Sequence, residues 1–353
     1  PYDALLSKPS ALHSLMRFVD PAGAVTRGKL TVNTGSQTVT GTSPANLDIL
    51  LQPQFRNGET PRAGFGPDAK YPLYNFMEVD LARVFAGRVK AYSRTFVFLN
   101  QSSPERPGIL IVLDRFTPAR PEIKPIFQLA TIERPVWKND TLQVRNSMHG
   151  KTGVLTMKTL VPEKVHAAMF TAEEAHTFGG VYVAPRNAAK KEASGTRTEL
   201  TGPGNVFLNV LQIHGGEVSP LPAQFVKSGS RYDITLADYF VSLGNTAELT
   251  EKMFQITVPQ KEAKVLLLNL APGKWTLAGN GEKRVFEVAK REGSLFTLLK
   301  KGVYTLSPGG SGKVEAAPAL RAVPAPPPPR NQLIVDGIPF PGVRTEVRGG
   351  VLS

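Results

Sequence analysis

Between Arg88 and Arg115 the chain alternates with the two-residue period of a β-strand, turns, and runs apolar again. In Arg88-Val-Lys-Ala-Tyr-Ser-Arg-Thr-Phe-Val-Phe-Leu99, the side chains of Val89, Ala91, Ser93, Thr95, Val97 and Leu99 fall on one face. Lys90, Tyr92, Arg94, Phe96 and Phe98 fall on the other. Ser102–Pro107, with two prolines and charged residues, turns the chain back. Gly108-Ile-Leu-Ile-Val-Leu-Asp-Arg115 is then apolar from Ile109 to Leu113 and closes in Asp-Arg. This arrangement predicts an antiparallel strand pair in which Arg94 and Asp114 face each other, with Arg115 beside them. Such a pair has a structural role. It is worth ~0.2–1 kcal/mol if exposed, or is costly to break from one side if buried.

The same strand grammar extends far in both directions. From Gly28 to Ser307, short β-branched and aromatic runs recur between Gly, Pro and Asn clusters, the pattern of a sandwich of antiparallel sheets. Ahead of it, Leu5, Leu6, Leu12, Leu15, Met16 and Phe18 lie at helical spacing, so residues 1–27 are expected to form a short helical lead-in. Residues 28–215 form the main sandwich in this reading. Residues 216–307 add strands to it or form a second small β domain. Residues 308–330, with the run Pro324-Ala-Pro-Pro-Pro-Pro329, read as a Gly/Pro linker. Residues 331–353 then form a tail whose apolar Leu333-Ile-Val and Ile338-Pro-Phe-Pro are expected to dock on a sheet edge of this chain or of a neighbouring copy. The fold class is therefore all-β, with a helical lead-in and a Pro-rich linker and tail.

Several of these pieces, in order, resemble the C-terminal β-sandwich domain of the heparinase II/III-like polysaccharide lyases. The strand from Val89 to Leu99 is similar to the family's "V-x-x-[FY]-x-R-x-[FV]-V-[FY]-L", and Asp114-Arg115 matches the close of its next strand. Lys124-Pro-Ile-Phe-Gln-Leu-Ala130 is similar to "K-x-x-[WF]-x-L-H", with Ala130 where the family often carries histidine. Gly153–Pro162 resembles "G-x-L-x-x-x-T-L-x-P", and Asn205-Val-Phe-Leu-Asn-Val-Leu-Gln resembles the later "F-L-x-V-L" strand. The resemblance covers about residues 70–215. It implies a secreted, extracellular or periplasmic protein that acts on or binds acidic polysaccharide. In that family most of the catalytic machinery lies in a helical toroid of several hundred residues ahead of the sandwich. No counterpart of the toroid stands ahead of these strands, so turnover by this chain alone is not expected and its status as an enzyme is left open. The alternative is a non-enzymatic extracellular scaffold or assembly subunit that reuses the sandwich and self-associates through its tail. The opening Pro1-Tyr-Asp-Ala-Leu is neither a signal peptide nor an initiator Met, which suggests a chain processed or cut from something larger.

Composition narrows the chemistry. There is no cysteine, which removes disulfides, thiol nucleophiles and thiolate metal sites. No apolar run approaches the ~18 residues that span a bilayer. The net charge of +13 favours polyanionic partners. Its cations are dispersed, the densest groups being pairs such as Lys190-Lys191 and Lys300-Lys301, which suits an acidic polysaccharide better than nucleic acid. The histidines His13, His149, His166, His176 and His214 show no H-x-H or H-x-x-x-H spacing, so neither a metal site nor a cofactor is expected.

Two groups of residues are candidates for glycan contact. Arg145, His149 and Lys151 surround a glycine-bearing hairpin loop and offer cations to an anionic sugar; the competing reading is an ordinary surface turn. Tyr71, Tyr74 and Asn75 combine aromatic faces with an amide, as sugar stacking requires, against a reading as core tyrosines. No residues are assigned to catalysis. His166 and His176 flank a segment, Ala167–Ala175, read as one short helix.

Overall fold

The structure is a computed structural model that describes residues 13–23, 25–27, 30–32, 34–37, 46–55, 57–85, 87–148, 150–182 and 195–322, together with 332–335, 338–344, 347–348 and 351–352. In chain order the strands begin with β1 (Leu15–Val19), β2 (Val25–Arg27), β3 (Leu30–Val32), β4 (Glu59–Gly66), β5 (Tyr74–Asp80), β6 (Val89–Asn100), β7 (Gly108–Pro118) and β8 (Lys124–Thr131). They continue as β9 (Val136–Lys138), β10 (Thr141–Met148), β11 (Lys151–Val161), β12 (His166–Thr171), β13 (Thr177–Phe178), β14 (Val181–Tyr182), β15 (Thr196–Thr201) and β16 (Val206–Gly215). Next come β17 (Ala223–Ser228), β18 (Arg231–Leu236), β19 (Tyr239–Gly244), β20 (Phe254–Leu267), β21 (Gly273–Gly279), β22 (Glu282–Val288) and β23 (Leu295–Pro308). Four short strands follow, β24 (Gln332–Val335), β25 (Ile338–Arg344), β26 (Val347–Arg348) and β27 (Val351–Leu352).

Three sheets stack. The middle one has eight strands in the order β4-β5-β6-β7-β16-β11-β10-β9. Strand β7 lies near its centre, which explains its unbroken apolar run: Ile109, Ile111 and Leu113 face one neighbouring layer and Val112 the other. On one side lies the four-stranded sheet β1-β8-β15-β12. Met16, Phe18, Phe127, Leu129 and Leu200 meet Tyr92, Val112, Phe116, Met157 and Phe207 there. On the other side lies the seven-stranded sheet β17-β18-β19-β20-β23-β21-β22, whose Ile234, Tyr239, Val241, Leu266 and Phe296 pack on Tyr74, Val97, Leu99, Ile111 and Val210. All of its pairings are antiparallel except β19 with β20. This last sheet curls: Phe240 of β19 shares a core with Trp275 of β21 and Phe286 of β22, several strands away. The register irregularity between Val258 and Glu262 lets the long β20 bend around that core.

Two expected helical segments are strands here. Residues 15–19, placed by their spacing in the helical lead-in, form β1 and pair with β8 from Leu15↔Gln128 to Val19↔Lys124. Met16 and Phe18 also satisfy a period of two, and pairing with a partner strand wins over the local helical spacing; residues 1–12 lie outside the described residues. Ala167–Ala175, read as one helix, is β12 followed by a single helical turn, Ala172–Ala175. Within β6 the alternation is also broken once. The irregularity between Val89 and Ala91 turns Val89 onto the Tyr92 face, opposite the face assigned by strict periodicity.

The expected Gly/Pro linker is attached to the body over its first part. Gly309 N donates to Lys274 O at 2.7 Å, Glu315 N to Val285 O at 2.7 Å, and Ala322 N to Tyr71 O at 2.8 Å. Leu320 and Ala322 pack into the core between the middle and seven-stranded sheets. The proline run 324–329 lies outside the described residues. In the tail β24 pairs with β25 and β26 with β27, and none of them joins the three large sheets.

Candidate functional site

The residues chosen for glycan contact do not converge. In the β10–β11 hairpin the register Arg145↔Val154 and Met148↔Lys151 puts Arg145 on one face and Lys151 on the other. Arg145 is exposed, and its guanidinium donates to Gly216 O at 3.0 Å. His149 lies outside the described residues. Tyr74 is buried and stacks on Phe296 with ring centroids 5.0 Å apart, so its ring belongs to the core; burial also raises its phenol pKa. Tyr71 is half-buried, with Lys70 Nζ 5.3 Å from its ring centre. Asn75 alone of that trio is exposed. His214 is buried at the end of β16, held between Thr156 Oγ1 and Gly215 O at 2.9 Å each.

Among the described residues most buried charges fall into three clusters, only one of which was legible in the motifs; Asp20 and Arg88 lie apart from them, Asp20 paired with Arg120 and Arg88 bonded to Ser36 O. Arg94 and Asp114 face each other across β6 and β7 and form a bidentate pair, Nε to Oδ1 at 2.6 Å and a terminal nitrogen to Oδ2 at 3.0 Å. Asp114 is fully buried, and Tyr92 OH also donates to it at 2.8 Å. Burial alone would lower the Arg94 guanidinium; Asp114, with Tyr92 beside it, more than offsets that and raises it. Of the two structural roles open to the pair, the buried one is observed.

The second cluster joins the middle sheet to the seven-stranded one. Glu78 of β5 accepts from Arg62 at 2.5 Å and from Asn269 Nδ2 at 2.9 Å, and stands 3.4 Å from Arg115. Arg115 in turn donates to Ser93 Oγ, Thr95 Oγ1 and the carbonyls of Gly244 and Thr246. The conspicuous Asp-Arg pair thus splits its work. Asp114 faces the four-stranded sheet and Arg115 the seven-stranded one, as the strand period requires. Nearby, Arg231 is wholly enclosed, bonded to Ser242, Thr250 and Leu268 O, and burial brings its pKa down to about 10.

The third cluster lies on the outer face of the four-stranded sheet. Arg17 and Arg197 both reach Glu199, and Phe178 covers them with its ring centre 5.1 Å and 4.1 Å from the two guanidinium carbons. Burial lowers Arg17 to about 10, with Glu199 pulling upward and Arg197 downward. Ala130, where the family pattern carries histidine, pairs directly with Arg197. Nothing in the sequence linked Arg17 with Glu199, because their contact spans two strands distant in the chain.

One open cleft of about 770 Å³ lies on the seven-stranded sheet. Its walls include Glu262, Glu282, Lys283, Lys300, Tyr304 and Glu315. Glu315, carried by the stretch after β23, grips Arg284 through two contacts of 2.5 and 2.7 Å. Lysine and glutamate alternate around the cleft, so its charge does not select for anions. Among the described residues no cluster of three or more His, Asp or Glu is placed to hold a metal, and no helix is long and apolar enough to cross a membrane.

The cleft, the curled core and the Arg231 network all fall within one stretch of sequence. Residues 225–308 match the heparinase II C-terminal domain family. The match runs from β17 to the end of β23, the whole of the seven-stranded sheet save the first two residues of β17. The resemblance read from the sequence was to the same kind of domain, but its motifs lie earlier, in the middle and four-stranded sheets. The heparinase-like unit is attached to those sheets through the buried Glu78 cluster and the shared apolar core. No curated protein matches the chain.

Proposed function

We propose that this chain is the β-sandwich portion of a secreted, heparinase-like protein that binds acidic polysaccharide and does not turn it over alone. The observation that carries the reading is the heparinase II C-terminal domain match over residues 225–308. The charge distribution supports it. Among the described residues the buried arginines are Arg17, Arg88, Arg94, Arg115, Arg197 and Arg231, and the buried acids are Asp20, Glu78, Asp114 and Asp233. Among the described residues the buried groups therefore carry a net of only two positive charges, so burial consumes little of the chain's positive surplus. Lys151 and Arg145 are exposed members of that surplus. His176 lies beside a tyrosine, its ring centre 6.1 Å from that of Tyr182, with Arg197 bonded to the carbonyls of Ala175 and Thr177 on either side of it. The reading of no turnover rests on the resemblance, which places most of the catalytic machinery in a toroid outside the sandwich.

Retention on immobilised heparin and alginate, with neutral glucan and DNA as controls, tests the reading. Salt-sensitive retention on the acidic glycans and none on glucan is the expected result. Equal retention on glucan, or equal affinity for DNA, would contradict it.

A further inference from the structure

The middle sheet extends past the cover of the seven-stranded one. The core between them takes in Val210 of β16 and Leu160 of β11 but no residue of β10 or β9. On that same face Lys138, Arg145 and Lys158 are exposed. The register shows how they stand. Lys138 of β9, Thr141 of β10 and Lys158 of β11 form one cross-strand row. Val136, Gln143 and Thr156 form the next, and Arg145 stands one step further along β10. Directly paired residues share a face. Leu142 and Met157, one place along their strands, lie in the opposite core. Thr141 to Arg145 spans about 14 Å, and Lys138 and Lys158 stand about 9.5 Å apart across the strands.

The charge on this strip has one sign. Strands β9, β10 and β11 carry the cations Lys138, Arg145, Lys151 and Lys158 and no acidic residue. Lys151 turns to the opposite face, and the other three share this one. Among the described residues none of the three is ion-paired. Arg145 donates to a carbonyl, Gly216 O, at 3.0 Å, which leaves its charge uncompensated. The adjoining acids are Asp140, in the turn between β9 and β10, and Glu217, next to Gly216; neither pairs with the strip. A lysine on an edge strand such as β9 is ordinary protection against unwanted pairing. Lys158 stands two strands further in, where no such need arises.

We propose that Lys138, Lys158 and Arg145, with Thr141 and Gln143 between them, form the docking surface for an acidic polysaccharide. Its carboxylates or sulfates stand against the three cations, and its hydroxyls bond the Thr141 hydroxyl and the Gln143 amide. A protein partner fits less well, because interface centres are depleted in charge and Val136 is the one exposed apolar side chain in these rows. A single nucleic-acid strand calls for stacking aromatics, and the one aromatic of these strands, Trp137, packs on the opposite face. The inference rests on the glycan-binding reading and gives it a site.

Calorimetric titration of the full chain with heparin and alginate oligosaccharides tests the strip through two double variants. One is Lys138→Glu with Lys158→Glu. The control is Lys252→Glu with Lys290→Glu, exposed residues beside β20 and β22. Both doubles lower the net charge of +13 by the same four units. The strip double should bind on the order of tenfold more weakly and lose salt sensitivity, while the control stays within about threefold of the parent. Lys138→Gln with Lys158→Gln should weaken binding by roughly three- to tenfold. All sites are exposed, so melting temperatures should not change. If the Glu double melts below the parent, the Gln double decides by the same comparison. Equal losses in strip and control would refute the strip while the charge-driven reading stands. If the parent binds neither glycan, both fail. If a DNA oligonucleotide displaces heparin as well as heparin itself does, the surface takes any polyanion and the inference is wrong.

Discussion

Replacing Glu78 tests how the heparinase-like unit is held to the middle sheet. Glu78 is 3% exposed and meets Arg62, Arg115 and Asn269. Glu78→Ala leaves Asn269 Nδ2 without its bond and strips Arg115 of its nearest buried counter-charge. Removing one partner of a buried ion pair costs about 3–5 kcal/mol. Part of that is recovered, because Arg115 keeps Ser93, Thr95 and two carbonyls, and Arg62 keeps Ala247 O at 3.0 Å. The low end of the range is therefore expected, a fall in melting temperature of about 6–12 °C at roughly 2–4 °C per kcal/mol. Glu78→Gln preserves shape and one acceptor and should lose about half as much, the scale of a bond to a charged group. Differential scanning calorimetry reads both quantities. The alanine variant should also broaden or split the transition, since the cluster joins two sheets. A Glu78→Ala protein melting in one transition within about 1 °C of the parent would refute the claim that this cluster couples the layers.

Three further outcomes are expected. Burial raises the phenol pKa of Tyr74, Tyr92, Tyr232 and Tyr239 above the unfolded value of 10.0. Their contribution is therefore constant below pH ~10 and is lost as pH rises from the unfolded toward the folded value. Tyrosinate absorbance from these residues should appear together with loss of circular dichroism, and titration of all eight tyrosines in a still-folded protein would be the contrary result. Gly108→Ala would set a Cβ 2.4 Å from the tip of the Phe98 ring and should lower stability by ~1–3 kcal/mol as the ring is displaced; an unchanged melting temperature would be the contrary result. Incubation with uronate-rich polysaccharide should give no rise in the ultraviolet absorbance of unsaturated uronate, and an enzyme-dependent rise would overturn the non-catalytic reading.

What the sequence made legible was local. The β6–β7 pair, the facing of Arg94 and Asp114, and the recurrence of short strands from Gly28 to Ser307 follow from two-residue alternation and turn chemistry. Burial of the Arg94–Asp114 pair did not follow, because a layer packed on each face is invisible in either strand alone. Residues 15–19 carry spacing that suits helix and strand equally, and only their distant partner, β8, decides between them. The Gly/Pro stretch looked like a free linker because its attachment depends on three backbone bonds and on Leu320 and Ala322, whose contacts lie far back in the chain. Of the expected glycan contacts Asn75 is exposed and Tyr74 is buried against Phe296, a difference between adjacent strand residues that depends on which layer covers each face.

The most direct test of glycan recognition is the salt dependence of binding to alginate, measured by titration calorimetry beside a neutral glucan. Exposed charges are screened beyond about 10 Å at 0.1 M salt. The account predicts alginate affinity that falls steadily as salt rises. It predicts much weaker glucan binding that salt leaves unchanged. Alginate affinity independent of salt, or no greater than that for glucan, would contradict it.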